Sequence, residues 1–177
     1  AVQMPGLTAG KTRIDGAAKS QDFIGLNYYT RSHLKFLAGP PFISFRFKDI
    51  HSRGLTDIGW EYYPEGFGQV LKQMKRYPVP VWVTENGLDD RSGARRTQFL
   101  FDHWRELLLA RQQGVNVTHY LHWSLMDNFE WLEAYGPRFG LYRVDFATME
   151  RHETPACEYF RQTATSRVLT APSLEPR

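Results

Sequence analysis

Apolar positions along this chain follow two periods that alternate from end to end. Residues 23–29, Phe-Ile-Gly-Leu-Asn-Tyr-Tyr, form a nearly unbroken apolar run of the kind a strand buried on both faces requires, and the run ends in polar groups. A second run, Pro80-Val81-Trp82-Val83, passes into Thr84-Glu85-Asn86-Gly87, and a third covers residues 117–123. Between them the spacing becomes helical. Phe67, Val70, Leu71 and Met74, after Pro64 at a helix start, predict a helix to about Tyr77, stopped by Pro78 and Pro80. Phe99, Leu100, Trp104, Leu107 and Leu108 predict a second helix over residues 97–113, capped by Gly114. Strands and helices in alternation argue for an α/β fold with parallel βα units. Residues 31–60, rich in Gly, Pro and Phe, are too long for an ordinary connection and read as a functional or rim loop. A short apolar segment at 139–146 and a last helix at about 154–163 complete the folded part. There is no internal repeat and no low-complexity tract.

The strand exits carry the candidate chemistry. An apolar strand that ends in Glu, Asn and Gly builds a site at its C-terminal end, where α/β folds place their reactive groups. A half-buried carboxylate is costly unless it is hydrogen-bonded or used, which makes Glu85 the candidate reactive group. Side chains alternate along a strand, so Asn27 shares a face with Tyr29, Val81 and Val83 with Glu85, and His119 and Leu121 with Trp123. If the three strands are neighbours, one inward face collects all of them. His119 and His122 face opposite sides and make poor joint metal ligands.

Composition narrows the partners. Aromatic residues make up 15% of the chain, a surplus that suits apolar cores and the C–H faces of sugars. The net charge of +3 comes from basic residues interleaved with acids, so there is no nucleic-acid stripe. One cysteine, Cys157, excludes an internal disulfide framework and a cysteine-based zinc site. No apolar run approaches the ~18 residues of a membrane span, and Ala1-Val2-Gln3-Met4-Pro5 lacks the regions of a signal peptide; a soluble, cytoplasmic protein without membrane partners is expected. No metal or cofactor is expected. A length of 177 residues allows one domain, but falls short of the ~200 to 250 that a closed eight-stranded barrel needs.

The loop after the third strand packs two indoles and two acids into Trp123-Ser124-Leu125-Met126-Asp127-Asn128-Phe129-Glu130-Trp131, followed by Tyr135-Gly136-Pro137-Arg138-Phe139-Gly140. With Thr84-Glu85-Asn86-Gly87, the segment 22–30, Gly59-Trp60-Glu61-Tyr62-Tyr63-Pro64 and the segment 138–145, it resembles glycoside hydrolase family 1, the retaining β-glucosidases and β-galactosidases. The resemblance spans about residues 20–165 in the family's order.

That resemblance implies a partial (β/α)8 TIM barrel: a loop or short helix over 1–20, strands six to eight with their helices over 21–165, and a surface or disordered tail over 166–177. It implies hydrolysis of terminal β-linked glycosides or oligosaccharides by double displacement. Glu85 would be the nucleophile, oriented by a hydrogen bond from Tyr29. Asn27 would serve the 2-hydroxyl side of the sugar, Glu130 its O4 and O6, and Trp131 its O3. Trp123 would form the stacking floor, Phe139 a wall, and Trp60 either the aglycone subsite or a rim aromatic over the core. A carboxylate at O6 repels a 6-phosphate, so the implied sugar is unphosphorylated.

The family's second carboxyl, in an Asn-Glu-Pro motif on the fourth strand, is missing from the sequence. Glu61, Glu65, Asp127 and Glu133 lie in motifs where they serve loop or helix structure, so none is expected opposite Glu85. Two readings follow: part of an enzyme, completed by an N-terminal barrel portion, or an inactive partial barrel that binds sugar or associates with itself. Open sheet edges and an uncovered inner face favour a homo-oligomer in either case. Near the end, Arg151-His152-Glu153-Thr154-Pro155-Ala156 departs from the basic, proline-flanked run of the family, which leaves the docking of the last helix open.

Overall fold

A computed structural model describes residues 15–16, 20–36, 39, 43–46 and 53–173; most of the expected lead-in and the last four residues lie outside these. In chain order the elements are β1 (Ile24–Tyr28), β2 (His33–Phe36), β3 (Ile43–Arg46), α1 (Pro64–Met74), β4 (Val81–Asn86), α2 (Arg96–Gln112), β5 (Val117–Tyr120), a 3-10 turn at Trp131–Glu133, β6 (Tyr142–Val144), β7 (Arg151–Glu153) and α3 (Pro155–Ser166). The three apolar runs do become neighbours: β1, β4 and β5 pair in parallel in that order. Both crossovers are helical, as parallel pairing demands.

Helix α1 starts on Pro64 at its first turn, where the missing N–H costs nothing. Helix α2 stops at Gly114, whose φ of 86° is the left-handed end of a helix. Their apolar stripes cover one face of the sheet. Tyr28, Val81, Val83 and Val117 pack there against Phe67, Leu71, Leu107 and Ala110, all buried. A second cluster joins Leu100 of α2 to Leu141, Ala156 and Cys157, so the last helix docks on α2.

The opposite face of the sheet carries no helix among the described residues. Phe23, Trp82 and His119 stack across the three strands at 4.1 and 4.0 Å between ring centres, and Phe23 and Leu121 are 39% and 48% exposed. Val81 and Val83, expected on this face, pack on the helix-covered side instead, and the face lies open. His119 sits on it, whereas His122 turns the other way and meets Phe160, as alternation required.

Three expectations need correction. The stretch at 31–60 is not all loop, because β2 and β3 pair in it as an antiparallel hairpin. The short segment after Phe139 acquires a partner, β7, from residues 151–153, where an all-exposed strand gives no alternating signal. Helix α3 runs to Ser166, past the expected helix end at about 163 and onto the first residue of the expected tail. A fourth correction concerns the direction in which Glu85 points.

Candidate active site

Alternation along β4 puts Val81 and Val83 into the helix-facing core, which would carry Glu85 to the same side. The strand does not keep that alternation. Leu26 is opposite Val83, but Asn27 is opposite Glu85, so Thr84 is an extra residue without a partner in β1. Such a bulge re-aims the side chains that follow it. Thr84 and Glu85 both reach the open face: the Thr84 hydroxyl donates to Asn27 Oδ1 at 2.6 Å, and the Tyr29 hydroxyl donates to Glu85 Oε2 at 2.6 Å. The expectation that Glu85 shares a face with Val81 and Val83 is therefore wrong, while its convergence with Tyr29 is present.

Tyr29 is a committed donor. Burial, then the hydrogen bond to Glu85, raises its phenol above the ordinary 10, so the proton stays on oxygen at any physiological pH. Two more rings close around it. Trp60 lies 5.4 Å from the Tyr29 ring, and Phe139, which is buried, lies 6.1 Å from both Tyr29 and Trp60. Trp60 is half-buried, its main-chain N–H held by the Thr56 hydroxyl at 3.0 Å.

The loop carrying Trp60 is fixed by a buried charge. Glu61 is fully buried and accepts two bonds from the Arg31 guanidinium, at 2.6 and 2.7 Å, with His33 Nε2 at 2.9 Å. Arg31 chiefly, against the cost of burial, holds the Glu61 carboxyl below its ordinary 4.5. Arg31 is two residues past Tyr29 and Glu61 one past Trp60, so this pair ties the two aromatic residues together from behind. Residue spacing carries no sign of it.

Trp123 and Glu130 form the other side. The Trp123 main-chain N–H donates to the Asn86 carbonyl at 2.9 Å, which sets Trp123 beside the end of β4. Its indole N–H points to Glu130 Oε2 at 3.4 Å. Ser124 is bonded to the Phe139 carbonyl, so the loop folds back on itself. Asp127 clamps that fold, accepting from the main-chain N–H groups of Gly140 and Val144 and from Arg138. The candidates thus fall into two groups. Tyr29, Glu85, Trp60 and Phe139 make one cluster, with the Trp123–Glu130 pair next to it. Asn27 is exposed and paired with Thr84, and Trp131 is 81% exposed on the rim.

No second carboxyl stands ready for Glu85 among the internal acids considered. Glu61 is consumed by Arg31, Asp127 by amides and Arg138, and Glu65 and Glu133 are exposed. Two hollows, of about 470 Å³ beside α3 and about 300 Å³ between the 90–96 turn and β7, are lined by residues other than Glu85. The residues around Glu85 form a shelf open toward the uncovered sheet face. Three features here were missed by sequence reasoning: the bulge at Thr84, the Arg31–Glu61 pair, and Asn86. All three depend on partners about 30 or more positions away.

Comparison with known proteins places the chain in a family. The model of glycosyl hydrolase family 1 matches residues 2–168. A β-galactosidase of Saccharolobus solfataricus is 36% identical over 176 residues, which cover 93% of this chain and 36% of that protein. β-Glucosidase A of Thermotoga maritima is 40% identical over 142 residues, 73% of this chain and 31% of that one. Among solved structures, the β-glycosidase from Pyrococcus horikoshii superposes with a TM-score of 0.79 at 38% identity, over 84% of this chain and 36% of that chain. The chain therefore spans about a third of the length of the relatives it matches.

Proposed function

Since the chain belongs to glycosyl hydrolase family 1, we propose that it supplies the nucleophile and the sugar-binding side of a retaining β-glycosidase acting on terminal, unphosphorylated β-linked sugars. On this reading β1, β4 and β5 are strands six to eight of an eight-stranded barrel, and the open sheet face is the inner wall of that barrel. The observation that carries the proposal is the 2.6 Å bond from the Tyr29 hydroxyl to Glu85 at the C-terminal ends of two adjacent parallel strands.

The chemistry follows from that geometry. Ionised Glu85 attacks the anomeric carbon as the bond to the leaving group breaks, and the covalent glycosyl-enzyme is then opened by water. Tyr29 cannot act as a base, because its phenol stays protonated; it holds one carboxylate oxygen so that the other faces the substrate. Trp123 supplies an apolar floor, and Glu130 accepts from the hydroxyls of the sugar, which also discriminates against a 6-phosphate by like-charge repulsion. A Thermotoga maritima β-glucosidase matched by this fold was solved with deoxynojirimycin, consistent with a sugar-sized ligand on this shelf. Retention requires a second carboxyl about 5–5.5 Å from the first to protonate the leaving group, and on this reading it lies on strands outside this chain. The chain alone then hydrolyses ordinary glycosides very poorly.

A fluoride leaving group needs no such acid, which gives a direct test. Incubation with a 2-deoxy-2-fluoro-β-glucosyl fluoride is expected to leave a stable adduct that peptide mapping locates on Glu85. Tyr29→Phe removes one hydrogen bond to a charged group, so labelling should slow by about 10- to 100-fold. If Glu85 takes no label even when the upstream strands of a relative are supplied, the assignment fails. The uncovered face, with Phe23 and Leu121 exposed, favours a second reading in which the isolated chain associates with itself or with a complementing barrel portion. Gel filtration showing a well-behaved monomer would count against that.

A further inference from the structure

Asn86 is fully buried at the end of β4, where a polar side chain needs a reason. Its side-chain Nδ2 donates to the Tyr28 carbonyl at 2.7 Å, and its Oδ1 accepts from the Tyr120 hydroxyl at 2.9 Å. Its main-chain carbonyl accepts the Trp123 N–H at 2.9 Å. The amide orientation follows from these partners, because the Tyr28 carbonyl can only accept. One residue thus links β1, β5 and the Trp123 loop. The positions it holds are significant. The Tyr28 carbonyl belongs to the peptide plane that leads into Tyr29, the Trp123 N–H belongs to Trp123 itself, and Glu85 is the covalent neighbour of Asn86.

The bulge at Thr84 makes such a clasp necessary. A bulged strand can relax by a slip of one residue, and a slip of one turns every side chain to the other face. For Glu85 that face is the apolar core of Val81 and Val83. Asn86 blocks the slip, because its side chain fits only where the Tyr28 carbonyl and the Tyr120 hydroxyl lie on opposite sides of it. We infer that Asn86 is a positioning residue for the glycosidase reaction, fixing Glu85, Tyr29 and Trp123 relative to one another through these three bonds. It touches no substrate. The inference rests on the reading of Glu85 as nucleophile, and extends it by naming what sets the geometry of the pair.

Two variants test it. Asn86→Ala removes both side-chain bonds, and Asn86→Asp keeps the shape but sets an oxygen against the Tyr28 carbonyl, so one is informative even if the other fails to fold. In crystal structures of the folded variants the contact from Tyr29 to Glu85 should open beyond hydrogen-bond reach. In labelling by the fluorosugar fluoride, a shift of about 1 Å should lower the maximal inactivation rate by about 100-fold, with the inhibitor constant within about threefold. A merely structural role would lower stability without that split. A folded variant that retains both the 2.6 Å contact and the labelling rate of the natural chain overturns the inference. If the natural chain takes no label at Glu85 even with the upstream strands of a relative supplied, the nucleophile reading fails, and the crystallographic distance then decides the role of Asn86 by itself.

Discussion

Replacing Gly87 by alanine is expected to lower the melting temperature of this chain by about 10 °C or more. Gly87 is buried at the exit of β4, and a Cβ on it would overlap the carbonyl oxygen and carbon of Trp123 far inside van der Waals contact. Its φ is not in the left-handed region, so a turn is not why the residue is glycine. The reason is the approach of the Trp123 backbone. A flexible side chain could move aside, but a backbone carbonyl held by neighbouring bonds cannot do so cheaply. Trp123 N–H is bonded to Asn86, and Ser124 N–H to Phe139. Overpacking of this kind exceeds the usual ~1–3 kcal/mol and falls among the rare losses above about 4 kcal/mol. Thermal denaturation followed by circular dichroism reads the effect directly. A Gly87→Ala chain that melts within a degree or two of the natural one would show that the strand exit is not packed as described.

The second large effect is a steep loss of stability in mild acid. His103 is fully buried, its Nδ1 bonded to the Phe99 carbonyl at 2.9 Å and its Nε2 without a partner, among the rings of Tyr28, Tyr62, Phe67 and Phe99. Burial lowers its pKa from 6.5 to about 4. His122, whose ring nitrogens are shut off from solvent, is lowered to about 3, first by burial and then by Arg96. The sign follows from proton counts. Above pH 6.5 both rings are neutral folded and unfolded, so neither costs anything. Between 6.5 and about 4 the unfolded chain binds two protons that the folded chain refuses, and stability falls with pH. Each group contributes about 1.4 kcal/mol per pH unit once the unfolded ring is protonated, so the pair gives about 3 kcal/mol per unit below pH ~6.

The carboxylate Glu61 acts in a separate window, since its lowered pKa matters only below its ordinary 4.5. Urea denaturation at pH 7, 6 and 5 therefore reads the histidines ahead of Glu61, with Asp89, whose pKa burial raises, acting in the opposite sense. A midpoint unchanged between pH 7 and 5 would mean that both rings take up their protons in the folded state.

Much of this molecule is legible in its sequence because the signals are local. Helices α1 and α2 announce themselves through apolar spacing, Pro64 and Gly114, since a helix is held by bonds between residues four apart. The three parallel strands are legible because burial on both faces forces continuous apolar runs. The hairpin of β2 and β3 and the strand β7 were not, because each belongs to a short antiparallel pair that gives no such run. At the candidate site the motif Thr84-Glu85-Asn86-Gly87 points to the candidate carboxylate, and the aromatic loop points to what surrounds it. The direction of Glu85 is the instructive failure. Strict alternation sends it into the core with Val83, and only the pairing of β4 with β1 adds the residue that turns it out.

The sequence by itself determined the two main helices, the three apolar strands and the family to which the chain belongs, because these rest on short-range periodicity and on motifs of contiguous residues. Tertiary structure alone decided which face Glu85 occupies, that Glu61 is spent on Arg31, that Gly87 answers to a carbonyl, and that Asn86 bonds to β1, β5 and Trp123 at once. Each of those outcomes depends on two segments at least 28 positions apart meeting at hydrogen-bond or van der Waals distance, and no periodicity within one segment records which partner it will meet.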